Sequence, residues 1–197
     1  MMLAVDAACP SWTRLAVHES SPARRGLSLR LLRECKGLVA TQYLSDTPRG
    51  QRNRAGFRSE NLERQTFADE TFDLVVTQDV FEHLFQPDLA TAEIWRTLKP
   101  GGYHIFTTPI YKGLATSERR ATLRGGKVEH LAPQEFHSNP VDPEGSLVTF
   151  HYGADFADLL RSWARFEVEI MTFEDRLHGI LGEFMEVVVC RKPSGSA

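Results

Sequence analysis

A strand, a helix and a second strand are predicted in immediate succession between Phe72 and Pro109, and this pattern constrains the fold most. The run Leu74-Val75-Val76 is short, apolar and β-branched, which is typical of a buried strand. The helix that follows has Pro87 in its first turn, where the missing amide hydrogen costs nothing, and Pro100 ends it. A second apolar run then begins after Gly101-Gly102. Two parallel strands joined by a right-handed crossover are expected.

The remaining apolar patterns extend this unit into a layered domain. Further strands are predicted at Arg14–Glu19, Leu38–Thr41, Gly56–Ser59, Phe166–Thr172 and Phe184–Arg191, and further helices at Arg25–Glu34 and Asp155–Trp163. Strands that alternate with helices predict a three-layer, Rossmann-like α/β sandwich. We expect one domain over residues 1–197, with an irregular start at 1–13, a long insertion at 110–153 and a frayed tail at 192–197.

Composition narrows the classes of function. A formal net charge of −3 and a pI near 6.2 argue against a broad nucleic-acid interface. Three scattered cysteines form neither a disulfide framework nor a metal motif, and they indicate a reducing compartment. No signal peptide or membrane span is evident. We therefore expect a cytoplasmic protein without a membrane or nucleic-acid partner; its oligomeric state stays open.

Polar residues follow the predicted strands at the edge where open α/β sheets bind ligands. After the run at 74–76 come Gln78, Asp79, Glu82 and His83. The insertion at 110–153 is rich in glycine and proline and carries His130, His137 and His151. Long connections of this kind are more often binding loops than accidents. The sequence therefore predicts a ligand site at the carboxyl edge, covered by the insertion.

Two segments resemble one known family. FDLVVTQDVFEHL, followed by LKPGGYHIFTTP, is similar to the central strand and the turn of class I S-adenosylmethionine-dependent methyltransferases of the type 11-like group. The resemblance covers about Arg14 to Lys192. It implies a mostly parallel seven-stranded sheet with an antiparallel last strand, S-adenosylmethionine as cofactor and methyl transfer as the reaction.

The resemblance also implies a set of cofactor-binding residues. Glu19 matches the acidic residue that holds the amino-acid portion of the cofactor, and Gln42 matches the residue that binds the ribose. Asn61 matches the polar residue that faces the adenine. The other implied positions are Ser20, Ser21 and Gly26, in place of the glycine-rich turn, and Gln78 and Asp79 beside the methionine moiety.

The sequence departs from the family pattern in three places. Gly26 is the one glycine in the turn HESSPARRG, where the family commonly has several. Gln42 lacks the acceptor strength of a carboxylate. The first strand also starts almost at the amino terminus, so the helices that usually precede it are expected to be missing and the cofactor site exposed. These departures favour weakened cofactor binding.

Histidines are the candidates for the acceptor end of the site. His137 and His130 lie in the variable insertion, where they either contact the acceptor or fix the loop. His83 either takes part in the chemistry or lines the wall of the site. An imidazole suits removal of a proton from an attacking hydroxyl. The loop histidines lack compact ligand spacing, so no metal site is predicted.

Three functions remain open from the sequence. The first is methyl transfer from S-adenosylmethionine to an oxygen or nitrogen of a small-molecule or glycan acceptor. The second is a noncatalytic, methyltransferase-like domain that binds or assembles with a degraded cofactor site. A nicotinamide-dependent oxidoreductase is less compatible, since no G-x-G-x-x-G motif follows the first strand.

Overall fold

The computed structural model describes residues 1–23, 25–139, 144–177 and 179–195. The strands are β1 (Ala16–Ser20), β2 (Gly37–Gln42), β3 (Arg58–Ser59), β4 (Phe72–Gln78), β5 (Leu98–Thr107), β6 (Glu118–Arg119), β7 (Ala121–Arg124), β8 (Lys127–His130), β9 (Phe136–His137), β10 (Ser146–Leu147), β11 (Phe150–His151), β12 (Glu167–Thr172) and β13 (Glu186–Arg191). The helices are α1 (Met2–Ala8), α2 (Leu27–Glu34), α3 (Pro87–Thr97) and α4 (Phe156–Trp163), with single 3-10 turns at Trp12–Arg14 and Phe81–His83.

A seven-stranded sheet forms the centre of the molecule, in the order β12-β13-β5-β4-β1-β2-β3. Strands β1 to β5 are parallel, and β13 runs antiparallel to both of its neighbours, β5 and β12. The fold class predicted from the sequence is therefore confirmed: a three-layer α/β sandwich with an antiparallel last strand.

Apolar side chains cover both faces of the sheet, as expected for strands buried between helices. On one face, α3 and α4 contribute to a core of aromatic and branched residues. On the other face, α1 and α2 pack on the opposite side chains of β1, β4 and β5. Helix α3 follows the predicted pattern, with Pro87 in its first turn and with Ala90 and Ile94 fully buried. In α2, Leu27 and Leu31 are buried, whereas Leu32 is 69% exposed.

The first thirteen residues are not irregular, contrary to the expectation from the sequence. They contain α1 and the 3-10 turn at Trp12–Arg14. Ala4, Val5 and Trp12 are buried against the sheet face that α2 also covers. The Trp12 indole donates a hydrogen bond to Asp6 at 2.9 Å. Local propensity alone does not stabilise so short a helix. This segment is helical because it packs against the sheet.

The insertion and the tail also have more structure than the sequence suggests. Residues 110–153 contain three two-stranded ribbons, β7-β8, β9-β10 and β6-β11, although residues 140–143 lie outside the described residues. At the start of the predicted tail, the Lys192 ammonium donates to the carbonyls of Trp95 and Leu98 at 3.0 and 2.7 Å. Lys192 is therefore anchored on the end of α3 rather than frayed. Among the described residues, no helix combines the length and the apolarity needed to cross a membrane.

Two fully buried histidines lie in the middle of the sheet. His18 on β1 is hydrogen-bonded to the Thr41 hydroxyl at 2.8 Å, and His104 on β5 to the Thr77 hydroxyl at 3.2 Å. The pKa of each imidazole is lowered to about 3, mainly by burial, and at His18 the charge of Arg58 contributes to this shift. Both side chains are thus held neutral in the folded protein.

We expect acid to destabilise the protein through these two histidines. Between the ordinary pKa of about 6.5 and the folded value of about 3, the unfolded chain binds more protons, so the free energy of unfolding falls as pH falls. His104→Phe should lessen this dependence by up to about 1.4 kcal/mol per pH unit, measured by denaturant unfolding at several pH values. His130→Gln, at an exposed histidine, is the control, and equal slopes in all three proteins would contradict the assignment.

Candidate functional site at the carboxyl edge of the sheet

Parallel pairing brings several predicted site residues to one edge of the sheet. In the register of β1 with β4, Ser20 lies opposite Thr77, so Glu19 and Gln78 reach the same end of the two strands. Strand β2 ends beside them at Gln42, whose neighbour Thr41 pairs with Ser20. Carboxyl ends of parallel strands leave a crevice where ligands bind in open α/β sheets.

Glu19 forms the polar centre of this edge and is 1% exposed. The Ser28 hydroxyl, in the first turn of α2, donates to Glu19 Oε1. The Gln78 amide nitrogen donates to Ser28 Oγ at 3.0 Å and lies 3.4 Å from Glu19 Oε1. Burial raises the pKa of the Glu19 carboxyl, while the bonds from Ser28 and Gln78 lower it. The predicted residues Glu19 and Gln78 are thus joined through Ser28, which the sequence analysis missed.

The turn between β1 and α2 is the segment predicted to take the place of a glycine-rich loop. Ser20 is buried at the end of β1, and Ser21 adopts a left-handed φ of 57° while its amide donates to the Thr41 carbonyl. Gly26 has φ 51° and ψ −120°, a conformation that residues with a Cβ avoid. A Cβ placed there would meet no atom within 4 Å. The backbone at Gly26 therefore borders open space, as a cofactor turn requires; Arg24, in the same turn, lies outside the described residues.

Gln42 and Asn61 have different surroundings. Gln42 is half-buried at the end of β2, and no hydrogen bond to its side chain is seen in the described part of the chain, so its amide can take a ligand. The Asn61 side-chain oxygen instead accepts the Glu63 amide at 2.8 Å, in a tight turn after β3. The structure thus gives Asn61 a role in shaping the loop.

Asp79 stands between the two ends of the site. It has a left-handed φ of 52°, and its carboxylate accepts a hydrogen bond from the Thr107 hydroxyl at 2.9 Å. The residue is exposed overall, yet local loss of solvent raises the pKa of its carboxyl group, and Glu82 raises it further. The bond from Thr107 and the charges of Arg25 and His137 lower this pKa. The pKa of Asp79 therefore depends on charges from both the turn after β1 and the insertion.

Glu82, His83 and His137 form a compact cluster at the other end of the site. Glu82 Oε1 lies 3.6 Å from His137 Nδ1 and 3.8 Å from His83 Nε2. The two imidazole rings meet edge to face, with centroids 5.2 Å apart. Interaction with Glu82 is the main cause of a raised pKa at His137, and Glu135 contributes in the same direction. Two of the three predicted histidines thus meet around a carboxylate.

The insertion is fastened directly to the loop that follows β4. The Thr149 amide donates to the Glu82 carbonyl at 2.7 Å, and its hydroxyl donates to the Leu84 carbonyl at 2.6 Å. The Tyr152 hydroxyl donates to the Phe81 carbonyl at 2.9 Å. These bonds hold β9 to β11 over the 3-10 turn, and this position brings His137 to Glu82.

A second group of polar residues continues from the cluster. Glu135 Oε1 lies 3.5 Å from His137 Nε2, and Glu135 Oε2 is 2.8 Å from His151 Nε2. His151 stacks on the Tyr111 ring with centroids 4.2 Å apart. Arg120 completes the group, 3.5 Å from Glu135 Oε2. The stacked rings of Tyr111 and His151 thus lie beside a network of polar side chains centred on Glu135.

His130 lies apart from these groups. It ends the exposed hairpin β7-β8 and is not a member of the described cluster. Glu135, in contrast, was missed by the sequence analysis although it lies two residues before His137. Residues i and i+2 of an extended chain point to the same side, and this spacing is the signal that pairs them.

Comparison with known proteins supports the architecture and the class. Residues 25–106 match the family described as methyltransferase domain. An uncharacterised methyltransferase from the fission yeast Schizosaccharomyces pombe is 43% identical over 51 residues. That match covers 26% of this chain and 18% of the yeast protein.

Solved structures resemble the chain over nearly its whole length. A methyltransferase from Mesorhizobium loti that depends on S-adenosylmethionine has a TM-score of 0.59, at 16% identity and with 96% of each chain covered. The 1,6-didemethyltoxoflavin-N1-methyltransferase of Burkholderia thailandensis, solved with 1,6-didemethyltoxoflavin and S-adenosylhomocysteine, has a TM-score of 0.54 at 18% identity. That comparison covers 97% of this chain and 76% of the Burkholderia chain. At these identities the likeness shows a shared fold.

The family match and the shared fold support the class predicted from the sequence. The family match includes α2, β4, α3 and most of β5, and the matched residues include Ser28, Gln78 and Asp79. The fold of the complete chain agrees with that match, with β13 antiparallel between β5 and β12. Residues 25–106 thus match the methyltransferase-domain family, and the fold of the chain is the one seen in methyltransferases that depend on S-adenosylmethionine.

Proposed function

We propose that the protein transfers the methyl group of S-adenosylmethionine to an oxygen or nitrogen atom of a small-molecule or glycan acceptor. One observation carries the proposal. The bonded set Glu19, Ser28 and Gln78 and the cluster Glu82, His83 and His137 lie along the same sheet edge, with Asp79 between them. A cofactor and an acceptor bound at these two ends would meet near Asp79.

The cofactor is proposed to extend from α2 to β2. Its amino-acid portion lies beside Glu19 and Gln78, where the open backbone at Gly26 lets it approach closely. Arg25, whose charge acts on Asp79, suits the carboxylate of the methionine moiety. The Gln42 amide, which has no hydrogen-bond partner among the described residues, takes a ribose hydroxyl. Ser20, Ser21 and Asn61 contribute through the shape of the turns that they form.

The acceptor is proposed to bind below the insertion. The stacked rings of Tyr111 and His151 provide a flat apolar face for an aromatic ring or a sugar. The polar end at Glu82 and His137 faces the group to be methylated. The acceptor atom attacks the methyl carbon, the bond from sulfur to methyl breaks, and S-adenosylhomocysteine leaves with the sulfur lone pair. The proton of the acceptor passes to the imidazole of His137 or to solvent. Alignment is the main requirement, since the sulfonium is already an activated leaving group.

Calorimetric titration of the full chain with S-adenosylmethionine and S-adenosylhomocysteine tests the proposal first. Both should bind with a stoichiometry of one. Methyl-labelled S-adenosylmethionine should then yield labelled product with a panel of phenols, amines and sugars, detected by mass spectrometry. If neither S-adenosylmethionine nor S-adenosylhomocysteine binds at about 1 mM, the enzyme proposal is wrong and the noncatalytic alternative takes its place.

Gly26→Ala should weaken cofactor binding by at least about tenfold, because the new methyl group strains the turn and projects into the proposed cofactor space. Gly56→Ala is a matched control, since Gly56 also has a positive φ and open surroundings but lies before β3, away from the carboxyl edge. Calorimetry with S-adenosylhomocysteine checks both. Equal affinities for S-adenosylhomocysteine in the two variants would show that the turn at Gly26 does not take part in cofactor binding.

His137→Ala should lower turnover about 100-fold with an acceptor found in the panel, because it removes a side chain from the acceptor end. Affinity for S-adenosylhomocysteine should change less than about twofold. Steady-state kinetics and calorimetry on the same sample give the two values. Unchanged turnover would remove His137 from the catalytic site and leave it a role in fixing the insertion.

A further inference from the structure

We propose that Glu82, His83 and His137 form a binding site for one divalent transition-metal cation. One donor atom from each residue lies within 4.8 Å of the other two, although the three residues come from a 3-10 turn and a distant strand. Neither the sequence nor the proposed reaction requires a metal at this place. The proposal depends on the directions of the donor atoms, which are fixed by their other partners.

His83 presents a lone pair to the centre of the cluster. Its Nδ1 lies 2.9 Å from the Leu147 carbonyl, which can only accept a hydrogen bond, so Nδ1 carries the proton. Nε2 is then unprotonated in the neutral ring, and it faces Glu82 Oε1 at 3.8 Å. Two acceptors therefore point towards each other, and a cation between them satisfies both.

Glu82 supplies the charge that such a cation needs. The residue is 1% exposed, and Oε2 accepts a hydrogen bond from the Thr108 hydroxyl at 2.9 Å. Oε1 is buried and has no hydrogen-bond partner among the described residues. A buried carboxylate oxygen without a partner is costly, and that cost is removed when the oxygen ligates a metal.

His137 completes the set in the same manner. Its Nε2 lies 3.5 Å from Glu135 Oε1, and its Nδ1 lies 3.6 Å from Glu82 Oε1. With the proton on Nε2, directed at Glu135, the Nδ1 lone pair points to the cluster. Metal-bound histidines almost always donate their other ring hydrogen to a carboxylate or a carbonyl. Both histidines here have such a partner, and the carboxylate ligand has Thr108.

The distances and the ligand types define the kind of ion. Two ligands about 2.1 Å from one ion lie roughly 3.0–3.6 Å apart, so the spacings of 3.6 and 3.8 Å need only a small closure. Two imidazole nitrogens and one carboxylate favour zinc, cobalt, iron or manganese over calcium or magnesium. Three protein ligands leave positions open. If the proposed methyl transfer is correct, an acceptor oxygen or nitrogen can occupy one of them, with its proton lost to solvent.

Cobalt titration of the metal-free full chain, prepared without a histidine tag, tests the site. One Co²⁺ per chain should bind and produce visible absorption typical of mixed nitrogen and oxygen ligands, and Zn²⁺ should displace it. Glu82→Gln, His83→Ala and His137→Ala should each weaken Co²⁺ binding at least about tenfold. His130→Ala, which removes a histidine outside the cluster, should leave the affinity unchanged.

Three results would overturn the site. They are no Co²⁺ absorption up to about 1 mM, ligand variants that bind Co²⁺ as tightly as the unchanged protein, and a loss of affinity in His130→Ala as large as in the ligand variants. Thermal unfolding and S-adenosylhomocysteine titration of each variant show whether it is folded. Thr108→Val keeps all three ligands and should weaken the metal less than Glu82→Gln does. If the protein binds S-adenosylhomocysteine but does not bind Co²⁺, the metal site alone is rejected. If it binds Co²⁺ but does not bind S-adenosylhomocysteine, methyl transfer alone is rejected.

Discussion

The parallel pairing of β4 with β1 and β5 is the constraint on which the rest of the structure depends. Leu74, Val75 and Val76 are fully buried and fix the register, because a slip by one residue would exchange the side chains of the two faces. In this register β1 and β4 end together. Gln78 can then reach Ser28 and Glu19, and Asp79 can accept from Thr107 at the end of β5. The polar edge is thus a direct consequence of apolar packing below it.

The second constraint is the attachment of the insertion to the turn after β4. Thr149 and Tyr152 donate to main-chain carbonyls of that turn. Their bonds place the β9-β10 ribbon so that His137 faces Glu82. Hydrogen bonds to backbone carbonyls therefore build this end of the site, and the charged residues themselves do not need to hold the insertion in place. Among the described residues, Glu82 Oε1 has no hydrogen-bond partner.

Much of the architecture could be predicted because its signals are local. The apolar run in β4, the proline at the start of α3 and the glycines near the start of β5 lie within one continuous segment. The residues directly after β4 could also be assigned to the ligand edge, since topology alone puts them there. Helix α1 was missed because its seven residues are too few to be helical without the sheet on which they pack.

By itself, the sequence determined the fold class, the ligand edge and a set of candidate histidines. Only the tertiary structure decided which of these side chains meet. It joined Glu19 to Ser28, joined His137 to Glu82 and Glu135, and left His130 on an exposed hairpin. The reason is that hydrophobic periodicity specifies which face of a strand or helix is buried, whereas the position of a long insertion depends on hydrogen bonds between residues far apart in the chain. Those bonds leave no periodic trace in the sequence.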